Sequence, residues 1–383
     1  MVVQQQIYLD YNATTPCDQR VLEKMLPYFT QVYGNPSNGL HIQGRQAARA
    51  VETAREHVAA LIGAQPYEIF FTGGATESDN IATLGVARMA RNGSRKRIIT
   101  SAVEHKAILL PCKRLQEEGF EVIFLPVDSD GVVSIEAAKE MINEQTLLVS
   151  IQAANNEIGT IQPISEIARL AHQHGAYFHC DAAQAVGKIP VDVNEAGIHL
   201  LSVSAHKFYG PKGVGALYVR GGKKKIPIEP IILGGGQESG LRSGTSNVPS
   251  IVGIGEASRI CLDAINAEYD RITSLRDHFE TRLQKLIPSL QINAANTKRL
   301  PNTSSLTFPG KDADALLLNL PQLMLGTGSA CSSGAIEPSH VLQAIGLSRE
   351  DASSTVRVSI GRFTTLDEIA IACQLITEVY REV

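Results

Sequence analysis

Five short segments put chemically capable residues directly after apolar, β-branched runs. In an open α/β sheet the carboxyl ends of the strands are where ligand sites form. The first segment is Phe71-Thr72-Gly73-Gly74-Ala75-Thr76-Glu77. Glycines that open a helix leave backbone N–H groups and a positive dipole end facing outward, which suits an anion. Thr76 adds a hydroxyl, although a glycine turn capped by threonine has the same wording. The second, Val103-Glu104-His105-Lys106, leads a histidine into a helix, as a proton carrier or as a cap. The third, Ala154-Asn155-Asn156-Glu157, ends an apolar strand on two amides that fit a ligand or a turn equally well.

The remaining two segments are more demanding. In His179-Cys180-Asp181-Ala182-Ala183-Gln184, Asp181 closes a strongly apolar strand, where a lone carboxylate is costly and calls for a cation. A protonated pyridine nitrogen is one such cation, and the pairing would keep an aromatic ring an electron sink. In Ser204-Ala205-His206-Lys207 a lysine follows a serine and a histidine inside a constrained apolar turn. A Schiff-base lysine needs its pKa depressed, which burial and neighbouring cations achieve. Lys106, Lys188 and Lys212 compete for that role, but none follows a Ser-x-His pair.

Cys331 is the sixth candidate. It sits in Gly326-Thr327-Gly328-Ser329-Ala330-Cys331-Ser332-Ser333-Gly334. Glycine and serine make a poor packing environment and a good one for a swinging nucleophile. Cys17, Cys112, Cys180, Cys261 and Cys373 have ordinary structural surroundings, as small buried hydrophobes do. No C-x-x-C pair occurs, so no structural metal is expected and free thiols in a reducing compartment are. Cys331 is the one thiol that could serve as a transient iron–sulfur ligand.

These groups need a scaffold. Amphipathic helices at Gly44–Ile62 and Ala75–Arg91 alternate with strands at Glu68–Thr72, Arg97–Thr100, Glu121–Pro126, Leu147–Gln152, Ala176–His179 and Leu200–Val203. That alternation predicts an α/β layer with a largely parallel sheet. Gly213–Val219 follows a short loop and should pair antiparallel. Beyond Pro249 the order becomes mixed: a long helix (Ile251–Leu286), strands at Gln291–Asn293 and Ser304–Phe308, and a helix at Ala313–Leu320. A strand at Thr355–Ile360 and a terminal helix from Asp367 complete a smaller α+β unit, which Ile7–Asp10 should join or bridge. The 383 residues exceed what one core usually serves. Charge offers nothing for nucleic acid: the net value is −4, and the single basic run, Lys223-Lys224-Lys225, adjoins two glycines as a solvated turn would. The start of the chain lacks the wording of a secretory signal, and no apolar run is long enough to span a membrane.

Taken together and in this order, the segments resemble the cysteine desulfurases of the NifS/IscS type, within the class V aminotransferases. The resemblance covers nearly the whole chain, from Tyr8-Leu9-Asp10-Tyr11-Asn12-Ala13-Thr14-Thr15-Pro16 through Gly34-Asn35-Pro36-Ser37 to Arg357-Val358-Ser359-Ile360-Gly361-Arg362. It implies the fold type I of pyridoxal 5'-phosphate (PLP) transferases. A large domain, residues 15–258, would hold a mainly parallel seven-stranded sheet. Residues 1–14 and 259–383 would form a small α+β domain carrying the cysteine loop. Asp79, Ala205 and Ala154 stand where Asn, Gly and Val are usual, and none of these departures removes a functional group.

Carried over residue by residue, the resemblance implies that Lys207 holds PLP as a Schiff base. Ala75, Thr76, Ser204 and His206 would hold its phosphate, Asp181 would pair with its ring nitrogen, and Gln184 would reach its ring oxygen. His105 would stack on the ring and move protons. Asn155 and Arg357 would bind the substrate carboxylate, with Asn155 also near the cofactor. Thr245, in Arg242-Ser243-Gly244-Thr245, would reach the phosphate of a second subunit, so a homodimer is expected. L-cysteine would give L-alanine and a persulfide on Cys331 for an acceptor protein, in the cytoplasm and without direct contact to nucleic acid or membrane. A selenocysteine lyase, an aminotransferase or a scaffold of a sulfur-transfer complex would share most of this wording.

Overall fold

The computed structural model describes residues 6–327 and 339–382. The Cys331 expectation therefore lies outside the described residues. Thirteen strands occur among those described: β1 Ile7–Tyr8, β2 Ile69–Thr72, β3 Arg97–Ser101, β4 Glu121–Leu125, β5 Thr146–Ser150, β6 Tyr177–Asp181, β7 Leu200–Ser204, β8 Gly215–Val219, β9 Gln291–Asn293, β10 Thr303–Thr307, β11 Leu323–Met324, β12 Gly326–Thr327 and β13 Thr355–Ser359.

Seven of these form one sheet in the order β2-β8-β7-β6-β5-β3-β4. The pairs from β7 to β4 are parallel, while β8 runs antiparallel to both β2 and β7. Six strands thus end on the same edge and only β8 is reversed, as its short connection predicts. β5 and β7 are buried along their whole length, the signature of a parallel sheet covered on both faces. Alternate residues feed two cores: Val149, Phe178, Cys180, Leu201 and Val203 on one side, Ile98, Leu148, Leu200 and Leu217 on the other.

A second group of strands pairs as β12-β13-β10-β9, all antiparallel, and β1 joins β11 in parallel. Ile7, Leu9, Phe279, Leu306, Val356, Val358 and Cys373 share a separate hydrophobic core here. The chain start therefore belongs with its end, and Asp10 bridges to Ser359. One 39-residue helix, Val248–Leu286, serves both cores, with Ile251–Cys261 in the first and Ile272–Leu283 in the second. Among the described residues no helix is long and apolar enough to cross a membrane.

The helical stretch expected at Ala75–Arg91 is interrupted. Ile81–Gly85 forms a π-helical turn between Ala75–Asn80 and Val86–Met89. Glu229 N donates to Gly85 O at 3.0 Å, so a passing segment takes up a helix carbonyl. A Cβ at Gly85 would lie 2.7 Å from Glu229 O, which makes the close approach specific to glycine.

Gly215 shows how the antiparallel strand positions the site. A Cβ there would meet Val203 O at 2.3 Å and Gly74 Cα at 2.7 Å, both backbone atoms. The turn after β2 thus lies directly against the start of β8. Gly215→Ala is expected to separate them at a cost of about 1–3 kcal/mol. The check is thermal melting of the apo protein together with PLP affinity, and both should fall; an unchanged pair of values would reject the close-approach account.

Candidate active site

The shared edge of the sheet opens into a cavity of about 1270 Å³. Its wall includes Ala75 and Thr76 after β2, His105 after β3, Ala154 and Asn156 after β5, and Asp181 and Gln184 at the end of β6. Ser204, His206 and Lys207 follow from β7, and Arg357 from β13. Nine of the sequence-derived site residues therefore converge. Asn155 and Thr245 do not line this cavity.

Asn155 is fully buried in the turn after β5. Its Oδ1 accepts from Glu157 N (2.8 Å) and Ile158 N (3.0 Å), and its Nδ2 donates to Val103 O at 3.0 Å. The amide braces two strand-end loops, and its neighbour Asn156 faces the cavity instead. Thr245 is exposed on the surface of its own chain.

Lys207 Nζ donates to Asn12 O at 2.6 Å and to Ala13 O at 2.9 Å. His206, on the same turn, pairs Nδ1 with Thr14 Oγ1 at 3.1 Å. Burial first, then the charge of Lys207, push the His206 imidazole down to about 4, so it is neutral. His105 caps the helix Lys106–Glu117 with Nδ1 accepting from Ala107 N at 3.1 Å. The cap and the site thus use one ring. With Nδ1 an acceptor, the proton of the neutral imidazole sits on Nε2, and burial lowers its pKa further.

Asp181 is buried, with Oδ1 accepting from Ala183 N at 2.9 Å. Burial raises its pKa, opposed by the hydrogen bond from Ala183 and by the charges of His105 and Lys207. Asp79 lies deeper still, with neither carboxyl oxygen bonded, and the Asp181 charge adds to burial in pushing its pKa up. His179, held by Ser150 Oγ at 2.8 Å and Ser202 Oγ at 3.0 Å, brings Nε2 to 3.6 Å from Asp79 Oδ1 and is neutral, its pKa down to about 3 through burial.

Arg357 enters from the other sheet. Its Nη2 pairs with Asp10 Oδ1 at 2.7 Å and its Nη1 donates to Asn156 O at 3.1 Å. Its Nε is buried without a partner. A guanidinium fixed by two contacts on a cavity wall is a group suited to a small carboxylate.

A family model for Aminotransferase class-V matches residues 7–371. The chain belongs to the class-V aminotransferases. It is similar to the mitochondrial cysteine desulfurase of Arthroderma benhamiae, 49% identical over 97% of this chain and 74% of that one. The IscS cysteine desulfurase of Rickettsia prowazekii is 45% identical over 97% of this chain and 90% of its own. Among solved structures, a NifS-like protein superposes with a TM-score of 0.91 at 39% identity, covering 99% of this chain and 100% of that one. The class-V fold is that of PLP enzymes, fold type I, and the site suits the cofactor. The buried Asp181 carboxylate has no ion-pair partner among the described residues, the charge of Lys207 acts on it, and the Gly74 turn opens the helix that follows β2 toward the same cavity. Among the described residues no group of three His, Cys, Asp or Glu side chains could hold a metal ion.

Several residues of this class-V site carry no obvious sequence signal. Asp10 and Asn12 lie in a motif that marks the family, and their contacts with Ser359 at the end of β13 bring them to Arg357 and Lys207. Ser339 anchors the far wall by donating to Glu157 Oε2 at 2.5 Å. Glu104 is fully buried, accepting from Ser101 Oγ (2.6 Å) and from Gln152 N (3.0 Å). Burial drives its carboxyl up to about 8 from an ordinary 4.5. Between those values the folded protein keeps a proton that the unfolded chain has lost, so stability falls as pH rises through that window. Glu104→Gln removes the titration. Its melting temperature should gain on the wild type from pH 5 to pH 8, and calorimetry showing parallel curves would exclude this account.

Proposed function

We propose that this enzyme is a PLP-dependent cysteine desulfurase, converting L-cysteine to L-alanine and leaving the sulfur as a persulfide on Cys331. The observation that carries the reading is Arg357: a guanidinium fixed by Asp10 and by Asn156 O on the wall of the cavity that also holds Lys207 and Asp181. When bound, the cofactor supplies an electron sink for the pair released at the substrate's Cα. Ala75, Thr76, Ser204 and His206 would hold its phosphate, Gln184 would reach its ring oxygen, and Asp181 would pair with the ring nitrogen.

The chain's own residues do the rest. Arg357 binds the substrate carboxylate, and Asn155 braces the loop from which Asn156 O steadies that arginine. Lys207 Nζ takes the α-proton, and His105 Nε2 moves protons between substrate and solvent. The Cys331 thiolate attacks the substrate sulfur. A sulfur–sulfur bond forms as the carbon–sulfur bond breaks, and the released pair takes a proton to complete alanine's methyl group. Thr327 and Ser339, the described residues flanking the cysteine segment, both line the cavity.

The persulfide is destined for an acceptor protein in iron–sulfur assembly, tRNA thiolation or DNA phosphorothioation. The working form is a homodimer in which Thr245 of one copy reaches the phosphate held by the other, consistent with its exposure. The five cysteines outside that segment are free thiols, as in a reducing cytoplasm. Residues 15–258 form the cofactor domain, with 1–14 and 259–383 as the small domain. The two hydrophobic cores support this division, with the boundary inside the long shared helix.

Arg357→Lys keeps the charge but loses the fork. Apparent affinity for cysteine should drop by roughly ten- to a hundredfold, since a charge-assisted hydrogen bond is worth about 1.5–3 kcal/mol. Unchanged steady-state kinetics with cysteine would remove Arg357 from this role. Cys331→Ala should stay yellow, with alanine production from cysteine nearly abolished. Mass spectrometry of the cysteine-treated wild type should find one added sulfur on the Cys331 peptide. Normal alanine formation by the variant would refute the persulfide route and favour a selenocysteine lyase.

A further inference from the structure

Lys188 is a part-buried lysine with no acidic partner within ion-pair distance among the described residues. It does not line the main cavity but stands behind its wall, beside a void of about 20 Å³. Its Nζ donates to Gln184 Oε1 at 2.5 Å and to Asn12 Oδ1 at 2.9 Å. Both acceptors are neutral and both belong to residues of the cavity wall.

The consequence for Gln184 is geometric. Lys188 Nζ donates here, as it does to Asn12 Oδ1, so the atom that Gln184 turns toward it is the carboxamide oxygen. Nε2 is then held on the opposite side, where one of its N–H groups goes to Asn12 O at 2.9 Å. The second remains for a ligand in the cavity. Asn12 is fixed in the same way. Its Oδ1 accepts from Lys188 and from Asn302 Nδ2 (2.9 Å), and its Nδ2 donates to Thr303 Oγ1 (2.8 Å) and Asn156 O (3.1 Å). The Asn12 carbonyl that receives Gln184 also receives Lys207.

A buried lysine without a counter-ion is an expensive way to orient an amide. Burial, then the charges of Lys207 and Arg357, hold the Lys188 pKa well below the usual lysine range. A methionine of similar length would fill the space without that cost. The expense falls on the side of the site rather than of the fold.

We propose that Lys188 is a positioning residue of the active site, locking the Gln184 amide with Nε2 toward the ring oxygen of bound PLP. The proposal rests on the reading of Gln184 as the ring-oxygen contact. That oxygen shares a proton with the nitrogen linking Lys207 to the cofactor. A donor on the oxygen weakens its hold on the proton, so loss of the donor raises the pH at which the proton leaves and the absorption band changes. The other charged or titratable groups facing this corner are Lys207, Arg357 and His206, with Asp181 and His105 beyond Lys207. All are retained in the variants below.

The experiment is a spectrophotometric pH titration of PLP-loaded wild type, Lys188→Met, Lys188→Gln, Gln184→Ala and the double variant Lys188→Met with Gln184→Ala. Gln184→Ala should move the transition upward by about one unit, a tenfold change in proton affinity. Lys188→Met should move it in the same direction. The double variant should move no further than Gln184→Ala, because one lesion acts through the other. Apo Lys188→Met should melt no lower than wild type, which separates positioning from a structural brace. If Gln184→Ala shifts the transition and neither folded Lys188 variant does, or if the two shifts add, the role of Lys188 is overturned. If Gln184→Ala itself leaves the transition in place, the ring-oxygen reading of Gln184 fails instead.

Discussion

Asp181 ends the fourth of seven strands with its carboxyl in the sheet interior, where the charged form is poorly solvated. Among the described residues its hydrogen-bond donor is a backbone N–H, and the groups whose charge would favour its anion, His105 and Lys207, come from other strand ends. A carboxylate in that position is stable as an anion only once a cation sits against it. The parallel sheet makes such a site possible because it gathers six strand ends on one edge. Each end delivers one group to the same cavity, from the Gly74 turn after β2 to the Lys207 turn after β7.

The second constraint is that the sheet edge alone leaves the cavity open on one side. Arg357 and Asp10 close it, and they come from β13 and from the segment just after β1, 347 positions apart in sequence yet in contact at 2.7 Å. The antiparallel register that sets Ser305 opposite Arg357, with Gly326 on its other side, fixes where the guanidinium begins. Gly326 matters here: a Cβ would lie 2.8 Å from Arg357 Nη2 and 2.9 Å from Asp10 Oδ1. The small core of Ile7, Leu9, Val356 and Val358 therefore does for the substrate side what the large sheet does for the cofactor side.

The strands and the residues at their ends were legible because local patterns encode them. Short apolar runs mark β3, β5, β6 and β7, and a reactive residue at or after the end of each run falls on the sheet edge by topology. What could not be read is what depends on distant contacts. The π-turn at Ile81–Gly85 exists because Glu229 approaches from 144 positions away, counting from Gly85. Asn12 is an ordinary loop residue until the chain start docks on Ser359 at the end of β13, after which its carbonyl holds Lys207. Asn155 and Asn156 are indistinguishable by type, and only the turn's hydrogen bonds decide which one faces the cavity. Cys331 is recognised from the Gly-Ser-Ala-Cys wording and not from geometry, since it lies outside the described residues.

The distribution of buried charge follows from the same division. Arg299 and Glu280 are buried and fully paired, at 2.8 and 2.9 Å, as a structural ion pair must be. Around the cavity the pattern is the reverse. Asp79 has no hydrogen-bond partner, Arg357 keeps one N–H unused, and Lys188 meets only neutral acceptors. Each of these groups would be better solvated if the site were rearranged, so the fold must hold them against that tendency. The rigidity comes from strands buried along their whole length and from a 39-residue helix spanning both cores. A site that keeps its charges under-satisfied is already arranged for ligands that bring the missing partners: a ring nitrogen for Asp181, a carboxylate for Arg357.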